Sequence, residues 1–133
     1  RWEELIRVRP IKKGDFFQFN AGTVLAMKAG TLMLETQQSS DVTYRLYDYG
    51  RLQNGKPREL HIEKSIDVIT CPHEEQNEGK AVFRQGDAAT ERLVSCRYYT
   101  VEKTELSGTA AFDTNGIYRL CSIIEGEGTV DGI

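Results

Sequence analysis

The sequence has 133 residues, of which 39% are hydrophobic and 28% charged, a composition typical of a globular chain rather than a fibrous or disordered one. Its 17 Lys and Arg against 20 Asp and Glu give a net charge of −3, which excludes a broad basic field for nucleic acid. No apolar run approaches the roughly 18 residues that cross a bilayer. The three cysteines, Cys71, Cys96 and Cys121, are too few and too widely spaced for a disulfide framework. We therefore expect a cytoplasmic protein without a membrane or nucleic-acid partner. Because the sequence opens on Arg1 rather than methionine, we also expect a fragment or a processed product.

The first 70 residues are predicted to form short strands between turns, with a short helix near each end. Residues 2–8 are typical of the tail of a helix that Pro10 stops. Gly22 easily accepts a positive φ, as a turn requires. The predicted strands are residues 16–19, 23–25, 31–35 and 42–47, and the turns between them are residues 20–22, 29–30 and 39–41. A further turn at residues 53–56 precedes Pro57, which is suited to the first position of a short helix with an apolar stripe at Ile62, Ile66 and Ile69.

The second part of the chain begins after a polar, turn-rich stretch. We interpret residues 71–80 as a linker, residues 1–70 as one unit and residues 81–133 as the start of another. Strand-like runs are predicted at residues 81–84, 93–104 and 117–124, with turns at residues 107–108 and 115–116. The whole pattern predicts an all-β protein with two short helices.

Two motifs in the first part resemble a known family. The pattern Gly14-x5-Asn20-x-Gly22-x2-Leu25 is similar to the second motif of the cupin barrels. In that motif a proline stands at the position of Asn20 and a metal-binding histidine at the position of Leu25. The segment TYRLYDYGR, residues 43–51, resembles the family sequence TYRVYDYDR. The match is to the bacterial type I mannose-6-phosphate isomerases, zinc enzymes that interconvert mannose 6-phosphate and fructose 6-phosphate. It implies cupin-type jelly-roll strands in incomplete barrels: the closing strands of the catalytic barrel in residues 1–70 and the opening hairpin of a second barrel in RLCSIIEGEGTVDGI.

The resemblance implies that Arg45 is the catalytic arginine, since it lies twenty residues after the ligand position. Its positive charge would stabilise the oxyanion that develops during isomerisation. The alternative is that Arg45 forms a structural ion pair with Glu35 or Asp48. Glu35 and Gln37 match a family segment that lines the same barrel, although they also suit a polar edge strand. The substrate-binding residues implied are therefore Glu35, Gln37 and Arg51, with the Arg51 guanidinium reaching the phosphate or remaining solvated.

Leu25 is the departure from the family that decides the metal chemistry. A leucine side chain has no lone pair and cannot bind zinc, and the resemblance implies that the remaining ligands, a Gln-x-His pair and a glutamate, precede residue 1. The family uses zinc, but we expect none to be bound by this chain alone. Cys71 and His73 form the only local Cys/His pair, where zinc motifs usually supply two, so we expect a solvated His73. The cysteines are expected to be buried, Cys96 and Cys121 as small core residues.

Three functional hypotheses follow. In the first, the chain is a fragment of a mannose-6-phosphate isomerase that acts on a sugar phosphate and is inactive alone. In the second, it is a non-catalytic cupin that binds a sugar phosphate or a protein partner. In the third, it is a degenerate or truncated product that merely folds and pairs with a complementary chain through its open β edges, since an unpaired edge invites association.

Overall fold

The structure, a computed structural model, describes residues 2–73 and 81–130. In chain order the elements are helix α1 (Trp2–Leu5), strands β1 (Leu52–Gln53) and β2 (Lys56–Pro57), helix α2 (Ile62–Val68), and strands β3 (Ala81–Gln85), β4 (Ala88–Ser95) and β5 (Thr100–Leu106). Every strand pairs in the antiparallel sense, in one sheet of two strands and one of three. The prediction of an all-β chain with two short helices is confirmed. Neither sheet closes into a barrel within these ranges.

The small core lies on the central strand of the three-stranded sheet. Strand β4 pairs with β3 on one side and β5 on the other, and a register shift follows Arg92. Ala88, Thr90 and Val94 are each only 2% exposed. The chain beyond β5 returns to this sheet, where the Ala111 carbonyl accepts a hydrogen bond of 2.7 Å from Gln85 Nε2. A central strand is covered by two neighbours, so the deepest burial falls on β4.

The β1–β2 hairpin follows directly from its turn residues. Asn54 and Gly55 have φ values of 53° and 76°, and a two-residue hairpin turn with positive φ at both central positions is typical of Asn-Gly. The turn pairs Leu52 with Pro57. The prediction that Pro57 begins a helix is therefore wrong. Proline is accepted at the end of this isolated strand because it needs no inward N–H there.

Residues 16–47 contain no paired strand, so the four strands predicted there are not formed. Two of the three turns are present: Thr23 N donates to Asn20 O at 3.1 Å, and Gly22 and Gly30 have φ values of 87° and 85°. At residues 39–41 the chain only bends. Turn chemistry is local, whereas a strand needs a neighbour that satisfies its N–H and C=O groups. No described segment supplies that neighbour.

Helix α2 connects two distant parts of the first unit. At its carboxyl end, Thr70 N donates to Gly22 O at 3.0 Å. At its amino end, His61 is the N-cap and also contacts Arg45. The turn before Leu25 and the strand-like segment around Arg45 are thus attached to opposite ends of the same helix.

The division into units stays a prediction, because residues 74–80 of the expected linker lie outside the described residues. Two contacts join residues from opposite sides of that boundary. Lys13 Nζ lies 2.7 Å from Glu125 Oε2, and Gln18 Nε2 donates to the Tyr99 hydroxyl at 3.1 Å. None of the helices described could reach across a bilayer.

Candidate functional site

Arg45 is held at three points by residues 59–61. Its amide N donates to His61 Nδ1 at 3.1 Å, and its carbonyl accepts from His61 N at 2.8 Å. Its guanidinium Nη1 donates to the Glu59 carbonyl at 3.1 Å. Arg45 is half-buried. The Arg45 guanidinium therefore binds a carbonyl oxygen, and neither Glu35 nor Asp48 forms the hydrogen-bonded ion pair considered as an alternative.

Asp48 is the buried charge of the site and is only 7% exposed. Arg58 binds both carboxylate oxygens: Nε donates to Oδ2 at 2.7 Å, and Nη2 contacts Oδ1. Arg51 Nη2 lies 3.3 Å from Oδ1. Hydrogen bonding by Arg58, followed by the charges of Arg58, Arg51 and Arg45, holds the pKa of Asp48 below its ordinary value, although burial opposes the shift. The same pairing raises the pKa of Arg58.

A tight turn over residues 48–51 presents Arg51. Arg51 N donates to Asp48 O at 2.9 Å, and the two central residues, Tyr49 and Gly50, have φ values of 55° and 67°. A tyrosine with positive φ is uncommon, and here its ring lies between two neighbours. The Tyr47 and Tyr49 ring centroids are 4.8 Å apart, and the Arg51 guanidinium carbon lies 5.4 Å from the Tyr49 centroid. Glycine in place of the family aspartate at residue 50 suits the left-handed backbone.

Positive charge exceeds negative charge at this turn. Arg58 neutralises the charge of the Asp48 carboxylate, and the more distant Arg51 contact adds a second guanidinium to the same carboxylate. The Arg51 side chain is 63% exposed. Arg45 also acts on Asp48 electrostatically while its own hydrogen bond goes to a neutral carbonyl. Two guanidinium groups next to a neutralised carboxylate form an arrangement suited to a dianion such as a phosphate monoester.

The other predicted substrate-binding residues are not brought to this turn. Glu35 and Gln37 are both exposed, and Gln37 lies on an open loop formed by residues 37–41. In the part of the chain that the structure describes, neither side chain is hydrogen-bonded to Arg45 or Arg51. Their role in binding stays a prediction.

Leu25 is 44% exposed, and its side chain offers no metal donor. Within residues 2–73 and 81–130, no three His, Cys, Asp or Glu side chains come together in a group that could hold a metal ion. The residues described here therefore do not fit a zinc site. His73 is exposed, as expected.

The predicted burial of the cysteines is wrong. Cys71, Cys96 and Cys121 are all exposed free thiols. Their apolar neighbours suggested a core, but those segments are not covered by other parts of the chain. Small apolar character predicts burial only where a covering layer exists.

Sequence reasoning missed two partners at this site. Arg58 and His61 make the contacts that fix Asp48 and Arg45, yet they lie ten and sixteen residues away from them. No periodicity links such positions. The sequence carries no signal for these contacts, since the helix predicted to begin at Pro57 places His61 inside it rather than at its start.

Comparison with known proteins identifies relatives along nearly the whole chain. Residues 89–132 match the family described as mannose-6-phosphate isomerase, cupin domain. The chain is 47% identical over 136 residues to mannose-6-phosphate isomerase ManA of Bacillus subtilis (strain 168), covering 96% of this chain and 41% of that protein. It is 41% identical over 130 residues to the mannose-6-phosphate isomerase of Streptococcus mutans serotype c, covering 97% of this chain and 41% of that protein.

A solved structure shows the same relationship. The crystal structure of the mannose 6-phosphate isomerase from Bacillus subtilis superimposes with a TM-score of 0.51 at 38% identity, covering 53% of this chain and 23% of that one. The chain spans about two fifths of the length of the curated relatives that it matches. Over nearly its whole length the chain is therefore similar to part of the mannose-6-phosphate isomerases, and its fold is of the cupin type.

Proposed function

We propose that the chain is part of a mannose-6-phosphate isomerase that interconverts mannose 6-phosphate and fructose 6-phosphate in cytoplasmic carbohydrate metabolism. The observation that supports this most strongly is the 47% identity to ManA over 96% of the chain. The free, exposed cysteines suit a reducing compartment.

Arg45 would supply positive charge to the reaction. Aldose–ketose isomerisation passes a proton between neighbouring carbons and develops negative charge on an enediol-like intermediate. A guanidinium fixed in advance stabilises such charge without reorganisation during the reaction. Arg51, exposed at the adjacent turn, would bind the phosphate of the sugar, and Glu35 and Gln37 would contact the sugar hydroxyls.

The family reaction uses zinc, which these residues do not hold by themselves. Leu25 lacks a donor atom, and the described side chains form no cluster able to bind a metal. We propose that the 133 residues alone neither bind zinc nor catalyse isomerisation. Metal analysis of the purified chain, together with a coupled assay on fructose 6-phosphate, is expected to give no stoichiometric zinc and no turnover. Bound zinc with measurable isomerisation would show that this proposal is wrong.

A complemented form of the protein tests the activity directly. The chain would be co-expressed with the part of ManA that it does not cover, once with Leu25 and once as Leu25→His. We expect zinc and activity only with Leu25→His, because the imidazole restores a nitrogen ligand. In that assembly Arg45→Ala should lower kcat by roughly 10²–10³-fold. Arg97→Ala, an exposed arginine on the β4–β5 turn, is the matched control and should leave kcat unchanged.

The outcomes of this experiment separate the two functions. If Leu25→His leaves zinc binding unchanged, the assignment of residue 25 to the ligand position is wrong. If the complemented protein binds fructose 6-phosphate but shows no turnover with either residue, the non-catalytic sugar-phosphate binder is the better description.

A further inference from the structure

We propose that His61 is the positioning residue for Arg45, and that its neutral imidazole, acting through the Arg45 backbone, fixes the direction of the guanidinium. The proposal deepens the proposed function, on which it rests for the role of Arg45. His61 would not touch the substrate. Its effect would be transmitted through residue 45.

The two residues form a closed pair of hydrogen bonds across sixteen positions of sequence. His61 N donates to Arg45 O at 2.8 Å, and Arg45 N donates to His61 Nδ1 at 3.1 Å. In an antiparallel ladder the second acceptor would be a backbone carbonyl. Here an imidazole nitrogen replaces it, so a side chain completes the backbone pairing of the candidate catalytic arginine.

The Arg45 side chain is held by the same short segment. Its Nη1 donates to the Glu59 carbonyl at 3.1 Å, two residues before His61. Residues 59–61 thus hold both the backbone and the guanidinium of residue 45. Loss of the backbone pair would leave the guanidinium on a single exposed hydrogen bond, which is too little to fix a side chain with four rotatable bonds.

The position of His61 in α2 supports a role outside the helix. His61 is the N-cap, a position where Ser, Thr, Asp or Asn is strongly preferred, because their side chains bond the first free N–H groups. The His61 ring makes no such cap bond. Its carbonyl instead accepts from Ser65 N at 2.9 Å and from Ser65 Oγ at 2.7 Å. The ring is therefore available to accept the hydrogen bond from the Arg45 amide.

Only one protonation state of His61 can make this contact. Nδ1 must be unprotonated to accept from the Arg45 amide, so the proton of the neutral ring lies on Nε2. The Glu59 carboxylate Oε2 lies 3.8 Å from Nε2, and the Tyr44 ring lies 6.0 Å away between centroids. A protonated ring would place an N–H against the Arg45 N–H. Among the residues that the structure describes, Glu59, Tyr44 and Arg45 are the groups that face the imidazole.

Nitrogen NMR of the ¹⁵N-labelled chain tests the contact itself. We expect the neutral His61 ring to carry its proton on Nε2, and the Arg45 amide resonance to move together with His61 when acid protonates the ring. The exposed His73 is the internal control, and its titration should not move Arg45. A proton on Nδ1 in the neutral ring, or an Arg45 amide indifferent to His61, would overturn the proposal.

Two substitutions test whether the contact positions the guanidinium. His61→Asn keeps an acceptor oxygen close to the place of Nδ1, and His61→Phe keeps a ring without an acceptor. The probe is inorganic sulfate, whose charge stays at −2 between mildly acid and neutral pH. We expect sulfate binding to weaken by roughly tenfold in His61→Phe, the scale of one hydrogen bond, and to recover in His61→Asn. The order of the Arg45 guanidinium, from ¹⁵N relaxation, should follow the same pattern.

The two measurements keep this proposal separate from the proposed function. If the Arg45 guanidinium is equally ordered in wild type and in His61→Phe, the positioning role of His61 is wrong, regardless of the affinity measured for sulfate. If sulfate fails to bind to wild type while His61→Phe disorders the guanidinium, the positioning role holds and the anion site of the proposed function fails.

Discussion

At the scale of single residues, Gly22 combines a positive φ with close contacts to backbone atoms of another segment. A Cβ atom there would lie 2.5 Å from Val68 O and 2.7 Å from Thr70 Oγ1. Its φ is 87°, in a region that side chains rarely adopt. Gly22 also accepts the hydrogen bond from Thr70 N. The turn before Leu25 and the end of α2 are therefore in backbone contact, and only glycine permits it.

Gly22→Ala should destabilise the chain more than Gly30→Ala. Gly30 has nearly the same φ, 85°, with nothing within 4 Å of its Cβ position, so its substitution costs only backbone strain, about 1 kcal/mol. At Gly22 the clash adds roughly 1–3 kcal/mol. Urea unfolding of both variants measures the difference in free energy of unfolding. Equal losses would show that the contact with residues 68–70 contributes nothing to stability.

Asp48 makes the stability of the site dependent on pH in the acidic range. The hydrogen bond from Arg58, helped by the nearby arginine charges, lowers the pKa of Asp48 in the folded protein. A carboxyl group that binds protons less readily when folded than when unfolded favours folding at neutral pH, and this contribution is lost as pH falls. The loss should begin near the ordinary Asp value of about 4 and increase below it.

Asp48→Asn should therefore flatten the dependence of stability on pH below about 4. The variant should be less stable than wild type at neutral pH, and the gap should narrow in acid. The measurement is the urea midpoint at a series of pH values. Glu125→Gln is the control, since the pKa of Glu125 is also lowered, by Lys13, but this pair is highly exposed. If both variants flatten the curve equally, the burial of Asp48 has no special effect.

The turn around Arg45 shows what single-residue reasoning could and could not supply. Arg45, Asp48 and Arg51 all lie in a recognisable stretch of sequence, and the turn at residues 48–51 follows Asp48 directly. Their contacts could not be derived, because Arg58 and His61 reach them from the hairpin and the helix start. Hydrogen bonds between a side chain and a group distant in sequence leave no periodic signal.

At the scale of elements, the Glu102 carboxylate connects β4, β5 and the segment that follows β5. Glu102 on β5 accepts from Arg92 Nη2 on β4 at 3.1 Å and from Arg119 Nη1 at 3.4 Å. Each arginine also lies over a phenylalanine ring, Arg92 over Phe83 and Arg119 over Phe112. Glu102 is 19% exposed. One carboxylate thus holds two strands and a segment without a strand of its own.

Glu102→Gln should weaken this sheet because the amide loses the charge that both arginines share. Exposed ion pairs contribute about 0.2–1 kcal/mol, and we expect a loss near the upper end of that range because two arginines are affected. Amide exchange over residues 81–119 measures where protection is lost. Glu105→Gln is the matched control, since Glu105 lies on the same strand and, among the described residues, pairs with the exposed Lys103 alone. Equal effects would mean that the shared carboxylate is not a structural link.

Elements were predictable where the signal is local. The Asn54-Gly55 turn, the start of β3 at Ala81 and the turn at residues 107–108 match their predictions. The run predicted at residues 93–104 instead spans the end of β4, a turn and most of β5. Tyr98 and Tyr99, which lie in that turn, have a high propensity for strands, and the turn was therefore not predicted. The strands predicted at residues 16–47 failed for another reason, since strand formation depends on a distant partner.

At the scale of the whole molecule, the chain exposes far more surface than a folded monomer of its size. Its accessible surface is 12366 Å², whereas a compact protein of this mass would expose about 7,100 Å². Large apolar side chains contribute to the excess, with Leu32 99% exposed, Leu120 89% and Tyr118 83%. The excess is more than six times the roughly 800 Å² that each partner contributes to a standard protein interface. Surface of this extent and composition is typical of a face that another chain covers.

We propose that the occupant is the remainder of a mannose-6-phosphate isomerase, since the chain spans 41% of the length of ManA. The predicted strands at residues 31–35 and 117–124 are unpaired and carry these apolar side chains. Pairing with strands of the complementary part would satisfy their backbone groups and cover the side chains together. The barrel strands inferred from sequence would then form on association.

Co-expression with the complementary part of ManA should therefore give a 1:1 complex, detected by sedimentation. Amide exchange should show new protection in residues 31–35 and 117–124, because strand hydrogen bonds form there. Leu120→Lys should weaken the complex by at least about tenfold, since it places a charge in an apolar contact. Leu52→Lys is the control: Leu52 is 64% exposed but belongs to a hairpin that is already paired. If the chain sediments as a compact monomer and does not bind the ManA segment, the interpretation of open strand edges is wrong. If both substitutions weaken the complex equally, the interface lies elsewhere.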